Sequence, residues 1–336
     1  MSLSILSPGL LTTVQDLGRI GYQKEGIIVS GAMDALALRV ANLLVGNEEK
    51  TAGLELTLLG PKIRFEADHL IALTGAGLAP TINGQPVRMS RPIFVRAGGV
   101  LQFAPQGTGC RVYMAVAGGI GVPEVLGSSS TYLRAGMGGW QGRALLTGDV
   151  LPCPGPTEIT REFWQTIASA SSAKAWAQAT WTPSPELYPA LQTSPIIRAV
   201  RGPEYDLFSA PSQDAFWRQE FTVTLASDRM GYRLRGAGAA LALAQPQEML
   251  SCAVPFGTVQ VPADGNPIIL LADHQTTGGY PRIAQAITAD FSPLAQVPPG
   301  GKIRFQEVSL AEAQRLFCQQ ELHIRQLRQV LRLKNV

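Results

Sequence analysis

Short apolar segments separated by Gly, Pro or Asn recur along the chain, a pattern typical of β-strands joined by turns. In the first half the segments of strand length are 60–65, 69–74, 92–95, 100–103 and 111–116. In the second half they are 196–200, 221–225, 257–261, 267–272 and 302–305. The pattern therefore predicts a mainly β protein with only a few short helices.

Helical periodicity is confined to three places. Residues 33–45 carry apolar side chains on one stripe, and Gly46 is placed to end that helix. A short helix is predicted near 158–168. The segment Ser309-Leu-Ala-Glu312 has the form of a capping box, and apolar residues at helical spacing follow it, so we predict a C-terminal helix.

The length of 336 residues suits two domains, because domains usually have about 100–200 residues. Between the two groups of strands lies a Pro-rich segment with an Ala/Ser tract at 168–175, which is typical of a connector. We predict an N-terminal β-barrel domain (1–151), a connector (152–195), a C-terminal β-barrel domain (196–308) and a terminal helix (309–336).

A short internal similarity favours two related domains. The segments 16–22 and 228–232 both place Arg-x-Gly-Tyr after an Asp, and the segments 92–103 and 293–305 both place Gly-Gly before an apolar strand. The order and spacing of the two pairs favour a duplication over coincidence. Coincidence stays open, because Gly-Gly before a strand is common in β proteins.

Composition and charge narrow the class of protein. Charged residues are only 16% and apolar residues 46%, which argues against disorder, and the net charge of +3 includes no basic run in the first 300 residues that would suit nucleic acid. We expect a cytoplasmic protein, because no secretory signal or membrane-length apolar run is present. Four widely spaced cysteines predict reduced thiols, and three histidines without ligand spacing predict no metal site.

The candidate chemistry lies in the polar, Gly-rich run 272–281, directly after a predicted strand. The sequence has no phosphate-binding loop of the Gly-x-x-x-x-Gly-Lys-Ser/Thr type and no Gly-x-Ser-x-Gly elbow. Within the run we predict catalytic roles for Asp273 and Gln275, and we interpret His274 as a loop histidine. The predicted binding residues there are Thr276, Thr277, Gly278, Gly279 and Tyr280.

Gly278 and Gly279 can adopt positive φ, which would let a ligand approach the backbone so that their amides donate to a carboxylate or an oxyanion. The alternative is a tight turn that precedes a helix at Pro281, and the residues alone do not decide between the two.

Two further sets of polar residues are candidates for substrate binding. Arg229 and Arg19, the latter close to Asp16, lie in short Gly-flanked motifs where a guanidinium can clamp a carboxylate. A structural Arg–Asp pair that braces a barrel is an equal alternative. Gln260 lies among β-branched residues and must find a partner, either a neighbour or a ligand.

Several ordered motifs carry a family resemblance. The motifs are 11–22, 30–34, 41–47, 115–120, 227–234 and 273–281. Together they resemble the biotin-dependent carboxyltransferase family, also described as the allophanate hydrolase subunit 2 family, over about residues 3–305. The resemblance implies two cyclophilin-like β-barrel domains in one chain.

The resemblance also implies an enzymatic activity that requires partner subunits. The most similar members take part in a 5-oxoprolinase complex, in which subunits A and B are the partners and ATP drives the opening of 5-oxoproline to L-glutamate. ATP would then be bound by a partner subunit, and no covalent biotin is expected because this sequence has no Met-Lys-Met acceptor. Two alternatives are a regulatory partner of a kinase-inhibitor-like protein and a carboxyltransferase or allophanate hydrolase subunit in urea or amide use.

The implied roles fall on the residues already selected. The amides of Gly278 and Gly279 would support the oxyanion, Asp273 would transfer protons, and Arg229 would bind the substrate carboxylate.

Overall fold

The computed structural model describes residues 1–156, 158–169 and 175–334, and this part of the chain is mainly β. Its helices are α1 (Ala35–Leu44), α2 (Glu158–Ser169), α3 (Ala210–Arg218), α4 (Phe291–Ala295) and α5 (Leu310–Leu333). The strands of the first half are β1 (Ser2–Ser7), β2 (Leu11–Gln15), β3 (Gly53–Thr57), β4 (Lys62–Phe65), β5 (His69–Gly75), β6 (Leu78–Ile82), β7 (Gln85–Pro86), β8 (Pro92–Val95), β9 (Val100–Pro105), β10 (Arg111–Val116), β11 (Val150–Pro152) and β12 (Trp176–Gln178). Those of the second half are β13 (Ile196–Arg201), β14 (Phe221–Val223), β15 (Gly231–Gly236), β16 (Cys252–Ala253), β17 (Thr258–Gln260), β18 (Ile268–Leu270), β19 (Thr277–Gly278), β20 (Arg282–Ala286) and β21 (Lys302–Glu307).

The chain divides into two compact units that interleave along the sequence. The first unit contains residues 1–19, 34–188 and the chain from Leu322 onward. The second unit contains residues 20–33 and 189–321. A segment that precedes α1 therefore belongs to the unit formed by the second half of the chain.

The first unit contains two six-stranded sheets, in the orders β11-β1-β4-β9-β6-β7 and β12-β8-β5-β10-β3-β2. Alternate residues of both sheets point into one apolar core, so that Leu3 and Phe65 of one sheet share it with Leu54, Ile71 and Val112 of the other. The burial of these side chains is the main favourable contribution to the stability of this unit.

The outer face of the second of these sheets is covered by helices. Leu70 and Ala115 on this face pack with Val40 and Leu44 of α1. The Asp34 side chain caps α1 by accepting a hydrogen bond from the Ala37 amide at 3.0 Å. As the sequence predicts, α1 ends just before Gly46, whose φ is +75°.

The second unit is built on a closed seven-stranded barrel in the order β13-β20-β17-β18-β15-β14-β21. The β13–β21 pair is parallel, and the other neighbouring pairs are antiparallel. Phe216 from α3 stacks on Phe305 inside the barrel, with the ring centroids 4.5 Å apart. Closure leaves no edge strand in the barrel, so every barrel strand has two neighbours.

The mainly β prediction is confirmed, and each predicted strand coincides with an observed one. The C-terminal helix begins at Leu310, after Ser309, whose Oγ accepts a hydrogen bond from the Glu312 amide at 3.1 Å as in a capping box. No helix within the described residues is long and apolar enough to cross a membrane.

The domain boundaries stay predictions, and the compact units group the chain differently. Much of the expected connector packs with the first unit, because β11 pairs with β1, β12 pairs with β8, and Phe163 and Ile167 of α2 are buried. Residues 170–174 of the Ala/Ser tract, together with 335–336 of the predicted terminal helix, lie outside the described residues.

Candidate functional site

The loop after β18 is bound to the barrel by its backbone. The Asp273 amide donates to the Arg229 carbonyl at 2.8 Å, and the His274 amide donates to the Leu271 carbonyl at 3.1 Å. Further on, β19 pairs with β16 in a two-stranded ladder. The loop is therefore held at both ends, with its centre between the barrel and this ladder.

A buried ion pair fixes the start of the loop. Arg229 donates from Nε to Oδ2 of Asp273 at 2.9 Å and from Nη2 to Oδ1 at 3.2 Å. Ser30 Oγ donates to the same Oδ1 at 2.8 Å, and Arg229 Nη2 also donates to the Gly31 carbonyl at 2.5 Å. Asp273, Arg229 and Ser30 are all buried, so the charges of the pair offset each other away from bulk water.

A cavity of about 350 Å³ opens beside this ion pair. Its polar lining residues are Gln23, Ser30, His274 and Thr276. Its apolar lining residues are Val29, Ala253, Val254, Pro255, Phe256 and Ala272. An apolar wall with a few polar groups is typical of a site for a small organic ligand.

His274 is the titratable residue of this lining. Its ring is buried, and Nδ1 lies 2.6 Å from the Gln275 carbonyl oxygen. Burial lowers the pKa of His274 below its usual value of about 6.5, and the hydrogen bond to the Gln275 carbonyl and the nearby Asp273 only partly oppose this effect. The imidazole is therefore neutral at pH 7.

The two glycines of the loop differ from the expectation. Neither Gly278 nor Gly279 has positive φ, because residues 277–278 form the extended strand β19. A Cβ on Gly278 would lie only 2.3 Å from Nε2 of Gln260, so a side chain here would require the Gln260 amide to move. The alternative of a helix at Pro281 is wrong as well, since strand β20 follows it.

The other predicted residues of the loop are spread around the cavity. Thr276 lines it, whereas Thr277 and Tyr280 are exposed, and the Tyr280 side chain is 50% exposed. Gln275 is half-buried and offers its carbonyl to His274. The structure thus brings His274 and Thr276 to one cavity and directs Tyr280 outward.

Gln260 is buried within the barrel strand β17, and its Nε2 lies 3.5 Å from the Tyr280 carbonyl oxygen, a long contact. A Cβ built on Gly278 would lie 2.3 Å from the same Nε2. Gln260 therefore supports the loop from below.

The pair Asp16 and Arg19 belongs to the first unit and braces a serine-rich segment. Asp16 accepts from the Gly18 amide at 2.7 Å, from Ser128 Oγ at 2.7 Å, from the Ser129 amide at 2.6 Å and from Ser130 Oγ. Arg19 donates from Nη2 to the Ser130 carbonyl at 2.5 Å and is fully buried. Both residues thus bind the same serine-rich segment, and substrate binding by either residue stays a prediction.

Sequence reasoning missed Ser30 and the cavity role of His274. Ser30 lies 243 positions before Asp273, so the local pattern could not place them together. One signal was available in the sequence, because Ser30 begins one of the family motifs. Among the described residues, no group of three or more His, Cys, Asp or Glu could hold a metal ion.

Comparison with known proteins identifies the family to which the chain belongs. The family described as "Carboxyltransferase domain, subdomain A and B" matches residues 25–307, and the chain belongs to this family. The chain is 41% identical to the C subunit of 5-oxoprolinase from Haemophilus influenzae, over 99% of this chain and 100% of that protein. It is 42% identical to the corresponding C subunit of 5-oxoprolinase from Escherichia coli, over 97% of each.

Larger proteins contain a similar region. The chain is 34% identical to urea amidolyase of Lachancea kluyveri over 97% of its own length, but it spans only 18% of that protein. The crystal structure of the Kluyveromyces lactis urea amidolyase superposes with a TM-score of 0.86 at 32% identity, covering 97% of this chain and 20% of that one.

Proposed function

We propose that this chain is the C subunit of an ATP-dependent 5-oxoprolinase complex, which opens 5-oxoproline to L-glutamate together with subunits A and B. The observation that carries the proposal is the 41% identity to the 5-oxoprolinase C subunit, which extends over the whole of that relative. Correspondence over the full length favours the same place in the same kind of complex. The urea amidolyases share only a region of this size.

The cavity suits such a substrate in size and in character. Its volume of about 350 Å³ is enough for a cyclic amino acid, and its apolar wall would contact the ring methylenes. Thr276 of the lining would orient the lactam and the carboxylate, and Gln275 would assist from the neighbouring position, where its carbonyl lies against His274. Asp273 and Arg229 hold the loop in the shape that makes this contact possible.

The loop amides complete the proposed binding groups. Gly278 and Gly279 would offer main-chain donors to the carbonyl oxygen as negative charge develops on it. Tyr280 is exposed at the end of the loop and would lie at the mouth of the cavity or against a partner subunit.

ATP is assigned to a partner subunit. Among the described residues that line the cavity there is no Arg or Lys to neutralise phosphate groups, and the sequence has no phosphate-binding loop. Biotin is not attached to this chain in the proposal, because the sequence lacks a Met-Lys-Met acceptor. The proposal places the complex in the cytoplasm, where the four free cysteines would stay reduced.

Reconstitution tests the proposal directly. The chain is mixed with 5-oxoprolinase subunits A and B, and glutamate is measured after addition of 5-oxoproline with and without ATP. We expect glutamate only with all three subunits and ATP. The control is the mixture of subunits A and B without this chain. If this chain binds A and B but glutamate is released equally fast without it, the result would contradict an enzymatic role and favour a regulatory one.

A second candidate is a carboxyltransferase or allophanate-hydrolysing role in urea or amide use. The superposition with urea amidolyase at a TM-score of 0.86 supports it. The same reconstituted mixture is therefore incubated separately with urea and with allophanate. Turnover of either one, in place of 5-oxoproline, would make this second candidate the better function.

A further inference from the structure

We propose that His274 is the proton acceptor of the cavity, taking the proton of the water molecule that attacks the lactam carbonyl. The inference deepens the proposed function and rests on it for the identity of the substrate. It assigns to His274 the proton transfer that the sequence predicts for Asp273.

The tautomer of His274 is fixed by its neighbour. Nδ1 lies 2.6 Å from the Gln275 carbonyl oxygen, and a carbonyl can only accept a hydrogen bond. Nδ1 must therefore carry the hydrogen. In the neutral ring this leaves the lone pair on Nε2, which is the nitrogen that can accept a proton.

Nε2 has no hydrogen-bond partner among the described residues, and the ring lines the cavity. His274 is also the only titratable side chain in the described lining. A water molecule or an amide in the cavity thus meets a single group able to change its charge near neutral pH.

The oxygens of Asp273 are already in use. Oδ1 accepts from Ser30 Oγ and from Arg229 Nη2, and Oδ2 accepts from Arg229 Nε. A substrate proton would have to displace one of these buried hydrogen bonds. Asp273 is therefore better suited to position the loop, and with it His274, than to exchange protons.

The charges near His274 are few and compensated. Asp273 favours the protonated imidazole, Arg229 pairs with Asp273, and the rest of the described cavity lining is neutral. Burial has the largest effect and lowers the pKa of His274. The ring is therefore available as a base at pH 7 and becomes an effective acid once it has gained a proton.

The proton transfer of the proposed step balances on its own, whereas the activation of the lactam, for which the proposed function uses ATP on a partner subunit, is a separate step. The water oxygen forms a bond to the lactam carbonyl carbon, the π electron pair moves onto the carbonyl oxygen, and the water proton moves to Nε2. When the carbon–nitrogen bond breaks, its electron pair stays on nitrogen, which takes the proton back from Nε2. The sum is the addition of one water molecule across the amide bond.

The first test reads the tautomer directly and does not depend on the substrate. The chain has three histidines, so an ¹⁵N-labelled sample gives three imidazole spin systems, and His274→Asn identifies that of His274. We expect the Nδ1–H tautomer at pH 7 and protonation below about pH 6.5. An Nε2–H tautomer would overturn the inference, whatever the complex hydrolyses.

The second test uses a matched pair of variants in the reconstituted complex. His274→Asn keeps a donor close to the position of Nδ1 but removes Nε2, whereas His274→Gln keeps a polar group near Nε2 and removes the donor to Gln275. We expect at least about a 100-fold loss of kcat in His274→Asn and the disappearance of the acid limb of the pH profile that the wild type shows below about pH 6.5. The control is His323→Asn, which changes a histidine of the first unit and should leave kcat unchanged.

A purely structural role gives a different pattern. If His274 only supported the Gln275 carbonyl, His274→Asn would stay within about threefold of the wild type and His274→Gln would be the impaired variant. That result would overturn the inference. Exogenous imidazole should partly restore His274→Ala, and this rescue is expected only if a base is missing from an otherwise folded site.

The proposed function and this inference fail separately. A wild-type complex that releases no glutamate from 5-oxoproline refutes the proposed function. The NMR measurement of the His274 tautomer then shows independently whether Nε2 is the unprotonated nitrogen. An active wild type with an active, folded His274→Asn variant refutes the inference alone.

Discussion

The two Asp–Arg motifs of the chain share two kinds of hydrogen bond but lie in different local structures. Asp16 Oδ1 accepts from the amide two residues later at 2.7 Å, and Asp228 Oδ1 does the same at 2.8 Å. Arg19 and Arg229 then each donate from Nη2 to a main-chain carbonyl at 2.5 Å. The positions of the two turns differ, because the Asp16 turn follows β2 and ends before Arg19, whereas the Asp228 turn contains Arg229 and precedes β15.

The difference lies in the carboxylate that serves each serine. In the first unit Asp16, the aspartate of the turn, accepts from the hydroxyls of Ser128 and Ser130. In the second unit Ser30 donates to Asp273, which comes from the loop after a barrel strand. Asp273 carries the chain directly into the residues that line the cavity. In the second unit the bracing carboxylate therefore comes from the loop to which we assign the proposed chemistry.

The largest expected effect is on the free energy of unfolding, because Asp273 pairs with a charged group whereas the donors to Asp16 are neutral. Asp273→Asn would leave the buried Arg229 guanidinium without its carboxylate, and removal of one partner of a buried pair costs about 3–5 kcal/mol. Asp16→Asn keeps one acceptor oxygen for neutral donors and should cost about 1–3 kcal/mol. Denaturant unfolding of each variant measures the two free energies.

The control for this pair is Asp206→Asn, which changes an exposed aspartate of the second unit and should stay within about 0.5 kcal/mol of the wild type. If Asp273→Asn and Asp16→Asn lose the same unfolding free energy, the charged partner of Asp273 makes no difference to stability.

A second comparison concerns the buried histidine of the first unit. Burial lowers the pKa of His69 to about 4, while its value in the unfolded chain is about 6.5. The unfolded state therefore binds a proton that the folded state excludes, and the free energy of unfolding falls as the pH decreases from about 6.5 towards about 4. The slope from this residue is at most about 1.4 kcal/mol per pH unit.

Equilibrium unfolding at several pH values, for the wild type and for His69→Gln, checks this effect. The variant should show the flatter curve over the interval from about pH 6.5 to about pH 4. Parallel curves would mean that His69 does not contribute to the acid sensitivity, which would then come from other groups, His274 among them.

The smallest effect concerns the two glycines of the loop. Gly278→Ala places a Cβ 2.3 Å from Gln260 Nε2 and should cost about 1–3 kcal/mol through overpacking. Gly279→Ala meets its nearest atom, Ser251 Oγ, at 3.3 Å and should cost less than about 1 kcal/mol. Thermal unfolding of both variants tests the order, and a more destabilised Gly279→Ala would show that the packing beneath the loop differs from the structure.

Local patterns in the sequence located about half of the helices and strands, and they missed β2, β15, α3 and α4 among others. The strand over 111–116 and the terminal helix after Ser309 follow from periodicity and capping, which depend on neighbouring residues only. The run 272–281 was also visible locally, because polar and glycine residues collect after an apolar strand. The family resemblance predicted two β-barrels, and the second unit contains a closed barrel.

Tertiary structure decided how these pieces combine into a site. Ser30 meets Asp273 across 243 positions, and a single sequence holds no signal for such a distance. Gly278 is small because Gln260 packs beneath it, and the reason is a contact rather than a backbone angle. Burial lowers the pKa of His274, and the Gln275 carbonyl sets its tautomer. The sequence alone determined which groups are available, whereas the folded chain determined which of them face the cavity, because desolvation and hydrogen-bond partners exist only once distant segments are packed together.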